Sequence, residues 1–381
     1  MKTVTIIGAR PQIIKAAALS RTIKEHYADR IHEVIVHTGQ HYDDNMSQVF
    51  FDEMDIPRPD YNLHVGSASH GVQSARMIEG IEQILLDEKP DCIVLYGDTN
   101  STLAGAVAAS KIHVPIVHIE AGLRSFNKGM PEEINRIVCD HCSTLLFTPT
   151  QAGLDNLAKE GFKTNNNGPY NIDNPKVYHC GDIMYDNSLH FSKVADQKVN
   201  LLKRLGLEGK AYALATLHRD SNTDHPERLN AILDAFMELS NDIDIVLPMH
   251  PRTRKMIELL SDEGQRVQLF HSSRIHIIEP VSFLEMIQLE QHAQLVLTDS
   301  GGVQKESYFF QKPCVILRPE TEWVEIVSSG AATLADADNG KIVEASRHYL
   351  QQPPTDFPKI FGDGHAAMFM LEKMLECFQP S

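Results

Sequence analysis

Strand-like and helix-like runs alternate along the whole of this 381-residue chain, and that rhythm constrains the fold more than any other feature. Short apolar, β-branched runs stand near 3–8, 32–37, 92–97, 114–119 and 144–148. Helical patterns lie between them, for example at 11–25, 72–87, 101–111 and 132–142. The rhythm resumes with strands near 212–217, 244–249, 275–278, 295–298 and 314–317. Such alternation predicts parallel sheets with helices on both faces. Two series in one chain predict two Rossmann-like α/β domains facing across a cleft. The polar stretch 163–176, KTNNNGPYNIDNPK, is loop-like and precedes the junction. It sets the expected domains at 1–184 and 185–364, with a last helix in 365–381 packing back on the first.

The bulk numbers narrow the function classes. The chain is 42% hydrophobic and 23% charged, ordinary for a globular enzyme. No stretch approaches 18 uninterrupted apolar residues, and the N-terminus has no signal-peptide pattern, so the expected location is the cytoplasm. A net charge of −16 argues against nucleic acid or an anionic membrane as partner. A small anionic ligand remains compatible if its cations are gathered in one place. Six cysteines make no disulfide framework. Cys139 and Cys142 form one C-x-x-C in a helical stretch, without the second pair that a zinc site needs, so no metal is expected.

Ligands of open parallel sheets bind beyond the carboxyl ends of the strands, so the residues just after each strand matter most. In the first half these include Arg10 and Lys15, then Asp98, then Glu120, followed by Glu132, Glu133 and Arg136 in MPEEINR. In the second half they are His218 and Arg219, His250 and Arg252, Asp299-Ser300-Gly301-Gly302, and Arg318 with Glu322. Each has a bland alternative. Asp98 could cap the helix near Ser101, Glu132 and Glu133 could serve a helix dipole, and Ser-Gly-Gly could be only a capped turn. Together they read differently. Glycines at a helix start let backbone N–H groups approach a phosphate. Carboxylates move protons, and Arg, Lys and His neutralise a phosphate leaving group. The residues therefore point to a nucleotide-sugar enzyme on a two-Rossmann, GT-B-like scaffold.

The segments GARPQIIKA, VLYGDTNSTLAG, HIEAGLRS, MPEEINR, TLHR and LTDSGGVQKE together resemble the non-hydrolysing UDP-N-acetylglucosamine 2-epimerases, in that family's order and over nearly the whole chain. The resemblance implies a GT-B-like fold, no NAD and no obligatory metal, and a homodimer. It implies conversion of the UDP-N-acetylglucosamine to UDP-N-acetylmannosamine type, for cell-surface polysaccharide precursors. The route is elimination of UDP to a 2-acetamidoglycal followed by re-addition. Asp98, Glu120 and Glu132 match the family's three active-site acids, and His218 the histidine at the leaving pyrophosphate. Arg10 and Lys15 match cations of the sugar-diphosphate site, and Arg136 is expected among the substrate-binding residues. Ser300, Gly301 and Gly302 match the phosphate cradle, Glu306 the acid on the ribose hydroxyls, and Met286 stands where an aromatic often meets the uracil.

Departures mark a subgroup. Common members begin GTRPE, whereas this chain has Ala9 and Gln12. They read HRREN where Asp220 and Ser221 stand here. Gln40 and His41 match part of the family's second, activating UDP-sugar site, but Ser69 replaces its arginine, and Asp220 adds a negative charge. GARPQ, RSFN and TEWVE resemble the 2-epimerases acting on UDP-2,3-diacetamido-2,3-dideoxy-glucuronate, an alternative substrate. A GT-B glycosyltransferase would share the fold but need an acceptor. A hydrolysing 2-epimerase would release free sugar and usually begins GTRAEY. A non-catalytic UDP-sugar binder would show no turnover.

Overall fold

Runs such as KTVTII and CIVLY are buried almost end to end, as strands covered on both faces must be. The computed structural model describes residues 1–39, 56–261 and 263–378. Two units emerge, Met1–Asn187 together with Ile360–Ser381, and Ser188–Lys359.

The strands of the first unit are β1 (Lys2–Ile7), β2 (His32–His37), β3 (Tyr61–Asn62), β4 (Cys92–Tyr96), β5 (Ile116–Ile119), β6 (Leu145–Thr148) and β7 (Lys176–His179). They form one parallel sheet in the order β3-β2-β1-β4-β5-β6-β7. Val4 pairs with Val34 on one side and with Ile93 on the other. The chain therefore reverses its direction of travel across the sheet between β1 and β4. Met77, Ile81 and Leu85 recur one helical turn apart on the helix His70–Glu88 and enter one core with Val4, Ile6, Ile93 and Leu95. The last helix, Ala366–Phe378, belongs to this unit. Its first N–H groups, from Ala366 and Ala367, donate to Asp186 at 3.1 and 2.8 Å, and Tyr27 Oη donates to Met368 Sδ.

The second unit repeats the plan. Its strands are β8 (Tyr212–Thr216), β9 (Asp244–Pro248), β10 (Ile275–Ile278), β11 (Leu295–Thr298), β12 (Cys314–Ile316) and β13 (Ala332–Leu334). All pairings are parallel, in the order β10-β9-β8-β11-β12-β13. This is the doubly wound order, and its reversal falls between β8 and β11. Phe236 and Leu239 of the helix Pro226–Leu239 fill a core with Ile245, Leu295 and Leu297.

The ten strands anticipated from the sequence are present, and β3, β7 and β13 are additions. All three lie at or next to a sheet edge and run only two to four residues. Such strands need no long apolar run. β7 starts inside the polar stretch that reads as loop. Among the described residues, no helix is long and apolar enough to cross a membrane.

Candidate active site

The first unit gathers its charged residues at the β1–β4 reversal. β1 is followed by Gly8 and Ala9, and Arg10 opens the helix Arg10–Thr22 as an exposed side chain. Gly8 is glycine for want of room. A Cβ there would lie 2.2 Å from both Ser101 Oγ and Thr38 Oγ1. Lys15, one turn into the helix, is buried and places Nζ 2.5 Å from Glu120 Oε2. Arg136, buried on the helix Pro131–Cys142, places Nη2 2.6 Å from Asp98 Oδ2 and 3.2 Å from Glu120 Oε1. Two cations and two carboxylates thus form one alternating group, with Lys15 and Glu120 side chains only 11% and 12% exposed. Exposure that low keeps these charges less screened than surface pairs.

Local backbone places these groups. Gly97 turns the chain out of β4 with φ of +63°, and a Cβ there would meet Lys15 Nζ at 3.4 Å. Glu120 leaves β5 with φ of +73°, a conformation costly for a residue with a side chain, on the order of 1–3 kcal/mol. Such outliers concentrate at functional sites. Asp98 is not a helix cap. That task falls to Thr99, whose Oγ1 accepts from Thr102 N–H at the start of the helix Asn100–Lys111. The two acids of MPEE divide. Glu133 is buried and accepts from Ser125 N–H, Ser125 Oγ and Phe126 N–H, which fixes that loop. Glu132 is exposed and has no ion pair or hydrogen bond among the described residues.

In the second unit the β8–β11 reversal carries a different set. His218 is half-exposed after β8, with Nδ1 3.2 Å from Oδ1 of Asp299, which is fully buried after β11. Asp299 also accepts from the backbone N–H groups of His218 and Arg219 and from Asn222 Nδ2. Holding Nδ1 from behind leaves Nε2 as the ring nitrogen able to serve a ligand. Ser300 caps the helix Gly301–Phe309, its Oγ accepting from Val303 N–H. Around Gly301 stand Arg318, bidentate to Glu322 at 3.0 Å, and Trp323, whose indole N–H donates to Gly301 O. Lys305 lies 4.4 Å from the centre of the Trp323 ring. Gly302 faces Glu306, and a Cβ there would lie 4.0 Å from Glu306 Oε2. Behind it Glu290 is fully buried, and burial together with Glu306 raises its pKa well above the usual carboxylate range. Met286 is partly exposed on the helix Phe283–His292. Gln40 and His41 lie outside the described residues. Ser69 is the N-cap position of the helix His70–Glu88, and Asp220 pairs with Arg252 at 3.2 Å.

The profile of the UDP-N-acetylglucosamine 2-epimerase family matches residues 23–375. The chain belongs to that family. It is 48% identical to the UDP-2,3-diacetamido-2,3-dideoxy-D-glucuronate 2-epimerase of Pseudomonas aeruginosa, over 98% of this chain and 99% of that one. It is 40% identical to the UDP-N-acetylglucosamine 2-epimerase of Methanocaldococcus jannaschii, over 96% of each. A crystal structure of the M. jannaschii UDP-GlcNAc 2-epimerase in complex with UDP-GlcNAc and UDP superposes with a TM-score of 0.80 at 38% identity. That match covers 99% of this chain and 100% of that one. The chain is accordingly an isomerase of the UDP-sugar 2-epimerase class, on the GT-B-like α/β fold.

Sequence reasoning named Asp299 only as a strand-end residue and assigned nothing to Gln12 beyond a subgroup mark. Gln12 is buried and fully used. Its Oε1 accepts from Gly8 and Ala9 N–H, and its Nε2 donates to Tyr96 O and Thr102 Oγ1. It ties the β1 turn to the β4 turn. His118 and Asp140, both fully buried, were also unassigned.

Proposed function

We propose that the enzyme inverts C2 of a UDP-2-acetamido sugar by eliminating UDP and adding it back. A carboxylate of the set Asp98, Glu120 and Glu132 removes the C2 proton. The C–H electron pair becomes the C1–C2 double bond, and the C1–O bond breaks with its electrons going to the β-phosphate oxygen. The product pair is a 2-acetamidoglycal and UDP. In the return step the phosphate oxygen bonds C1, and a proton reaches C2 from the opposite face. A C2 hydrogen has no ring carbonyl beside it to stabilise an anion, so its loss must be coupled to departure of the diphosphate. That coupling asks for proton-transfer acids and for preorganised donors on the leaving group.

The observation that carries this reading is the Lys15–Glu120–Arg136–Asp98 group at the β1–β4 reversal. It aims two carboxylates with two buried cations, which suits proton transfer at carbon. In the second unit His218, backed by Asp299, is assigned to the leaving oxygen. Ser300, Gly301 and Gly302 at a helix start are assigned to the diphosphate, Glu306 to the ribose hydroxyls and Met286 to the uracil. Arg10, exposed at the first helical turn, is assigned to the sugar diphosphate.

Two sugars fit the chemistry. UDP-N-acetylglucosamine, giving UDP-N-acetylmannosamine, is the family reaction. The 48% identity to the P. aeruginosa enzyme supports UDP-2,3-diacetamido-2,3-dideoxy-glucuronate as the preferred sugar. The reading extends to a cytoplasmic homodimer supplying polysaccharide precursors. Incubating the enzyme with each nucleotide sugar in D2O and following C2 by NMR tests it. Inversion with deuterium at C2, and no acceptor present, is expected. Absence of C2 exchange with both sugars sinks the reading.

A further inference from the structure

The turn that carries Asp98 is held by three consecutive carbonyls, each gripped by a buried side chain from a different element. Gln12 Nε2, on the first helix, donates to Tyr96 O at 3.0 Å. Asn135 Nδ2, on the helix Pro131–Cys142, donates to Asp98 O at 2.9 Å. Between them, His118 Nε2 on β5 lies 2.8 Å from Gly97 O. The other ring nitrogen, Nδ1, lies 2.7 Å from Asp140 Oδ1. A carbonyl and a carboxylate both accept only, so both ring nitrogens must carry hydrogen. His118 is therefore an imidazolium, fully buried one layer beneath the reacting acids.

Its counterion is itself braced. Asp140 Oδ2 takes Arg124 Nη2 at 2.7 Å and the Gly122 N–H at 3.2 Å, and Arg124 Nε reaches Glu160 at 2.7 Å. Gly122 lies two residues beyond Glu120, so one network fixes the turns of both acids. Burial works against a charged His118, but Cys139 and Asp140 outweigh it and hold its pKa up at about 10. Burial likewise works against an ionised Asp140, yet His118 and Arg124 keep its carboxyl below the usual range. The bond partners are 21 and 22 residues apart in sequence, so the network is a product of the fold.

We infer that His118 is a positioning residue: as a buried imidazolium paired with an Asp140 that Arg124 braces, it locks the Gly97 carbonyl and so sets Asp98 at the geometry of proton transfer. The inference rests on Asp98 being a catalytic acid. A misplacement of about 1 Å at such a group costs on the order of a hundredfold in rate.

Two near-isosteric variants separate this role from a merely structural one. In His118→Gln the amide nitrogen sits where Nε2 was and still serves Gly97 O. In His118→Asn it sits where Nδ1 was and serves only Asp140. Both remove the buried charge, so both lose stability. Positioning predicts that His118→Asn loses about a hundredfold in kcat with little change in KM, and that His118→Gln stays at least tenfold above it. Equal kcat in the two variants, or wild-type kcat in His118→Asn, overturns the proposal. Should neither fold, nitrogen-15 NMR of the wild-type imidazole tests the premise directly: both His118 ring nitrogens must carry hydrogen at neutral pH, and a neutral ring overturns the proposal. Failure of the underlying reading looks different: Asp98→Asn would then turn over normally whatever His118 does.

Discussion

The two units share the doubly wound plan, the first with one more edge strand, yet their strand ends are built on opposite plans. The first closes its charges on one another. Lys15, Arg136, Asp98 and Glu120 neutralise one another locally, and the turns beneath are gripped by Gln12, His118 and Asn135. The second leaves its donors outward: a half-exposed His218, a capped helix start and small glycines. Proton transfer at carbon needs groups fixed to a fraction of an ångström, whereas a flexible diphosphate needs donors that meet it. On the proposed division of roles, one topology meets both demands because its strand ends can be furnished independently.

The sharpest way to break this contrast is to remove one group from each side. Asp98→Asn should lose about 10²- to 10⁴-fold in kcat, the usual scale of general acid–base catalysis, while the Kd for UDP barely moves. His218→Ala should lose about 10²- to 10³-fold, the scale of one preorganised donor. Its deuterium exchange at C2 should fall in step with turnover, because proton loss and leaving-group departure are coupled. Steady-state kinetics and isothermal titration read both variants. Near-wild-type turnover in either would remove that residue from the mechanism.

Much of this was legible in advance. The alternation of apolar strands and amphipathic helices gives the doubly wound units, because a strand buried on both faces must be written in apolar residues. The strand-end acids and the Ser-Gly-Gly turn could be named because their positions follow from topology. The clamps could not. Gln12 and Tyr96 are 84 residues apart, and His218 and Asp299 are 81 apart, so only the folded chain brings them together. Glu133 and Glu132 look alike as neighbours in sequence, but the helix phase buries one and exposes the other.

A smaller effect sharpens the contrast through pH. The folded pKa of His118 lies above its ordinary 6.5, at about 10. Its stabilisation is therefore complete below about 6.5 and is lost as pH rises through about 10. Denaturant unfolding of wild type and His118→Gln should show a stability gap that narrows as pH is raised from neutrality through that value. A gap independent of pH would mean His118 is not charged in the native state.

The smallest expected effect concerns the sugar. Gln12 belongs to the GARPQ signature, yet its side chain is fully spent inside the protein on Gly8, Ala9, Tyr96 and Thr102. Gln12→Glu removes two donated hydrogen bonds and should cost roughly 1–3 kcal/mol of stability. The ratio of turnover on the two candidate nucleotide sugars should stay the same. A changed ratio would make Gln12 a determinant of substrate choice.

The triple grip on the Asp98 turn also sets where this enzyme can diverge. The carbonyls of Tyr96, Gly97 and Asp98 each accept from a side chain of another element, the first helix, β5 and the helix Pro131–Cys142, so a change in any of these segments reaches the turn of the proposed proton-transfer acid. The loop before Glu132, with Phe126 and Met130 exposed, carries no such obligation to that turn. Substitutions at the exposed Phe126 and Met130 therefore leave the three grips on the Asp98 turn in place.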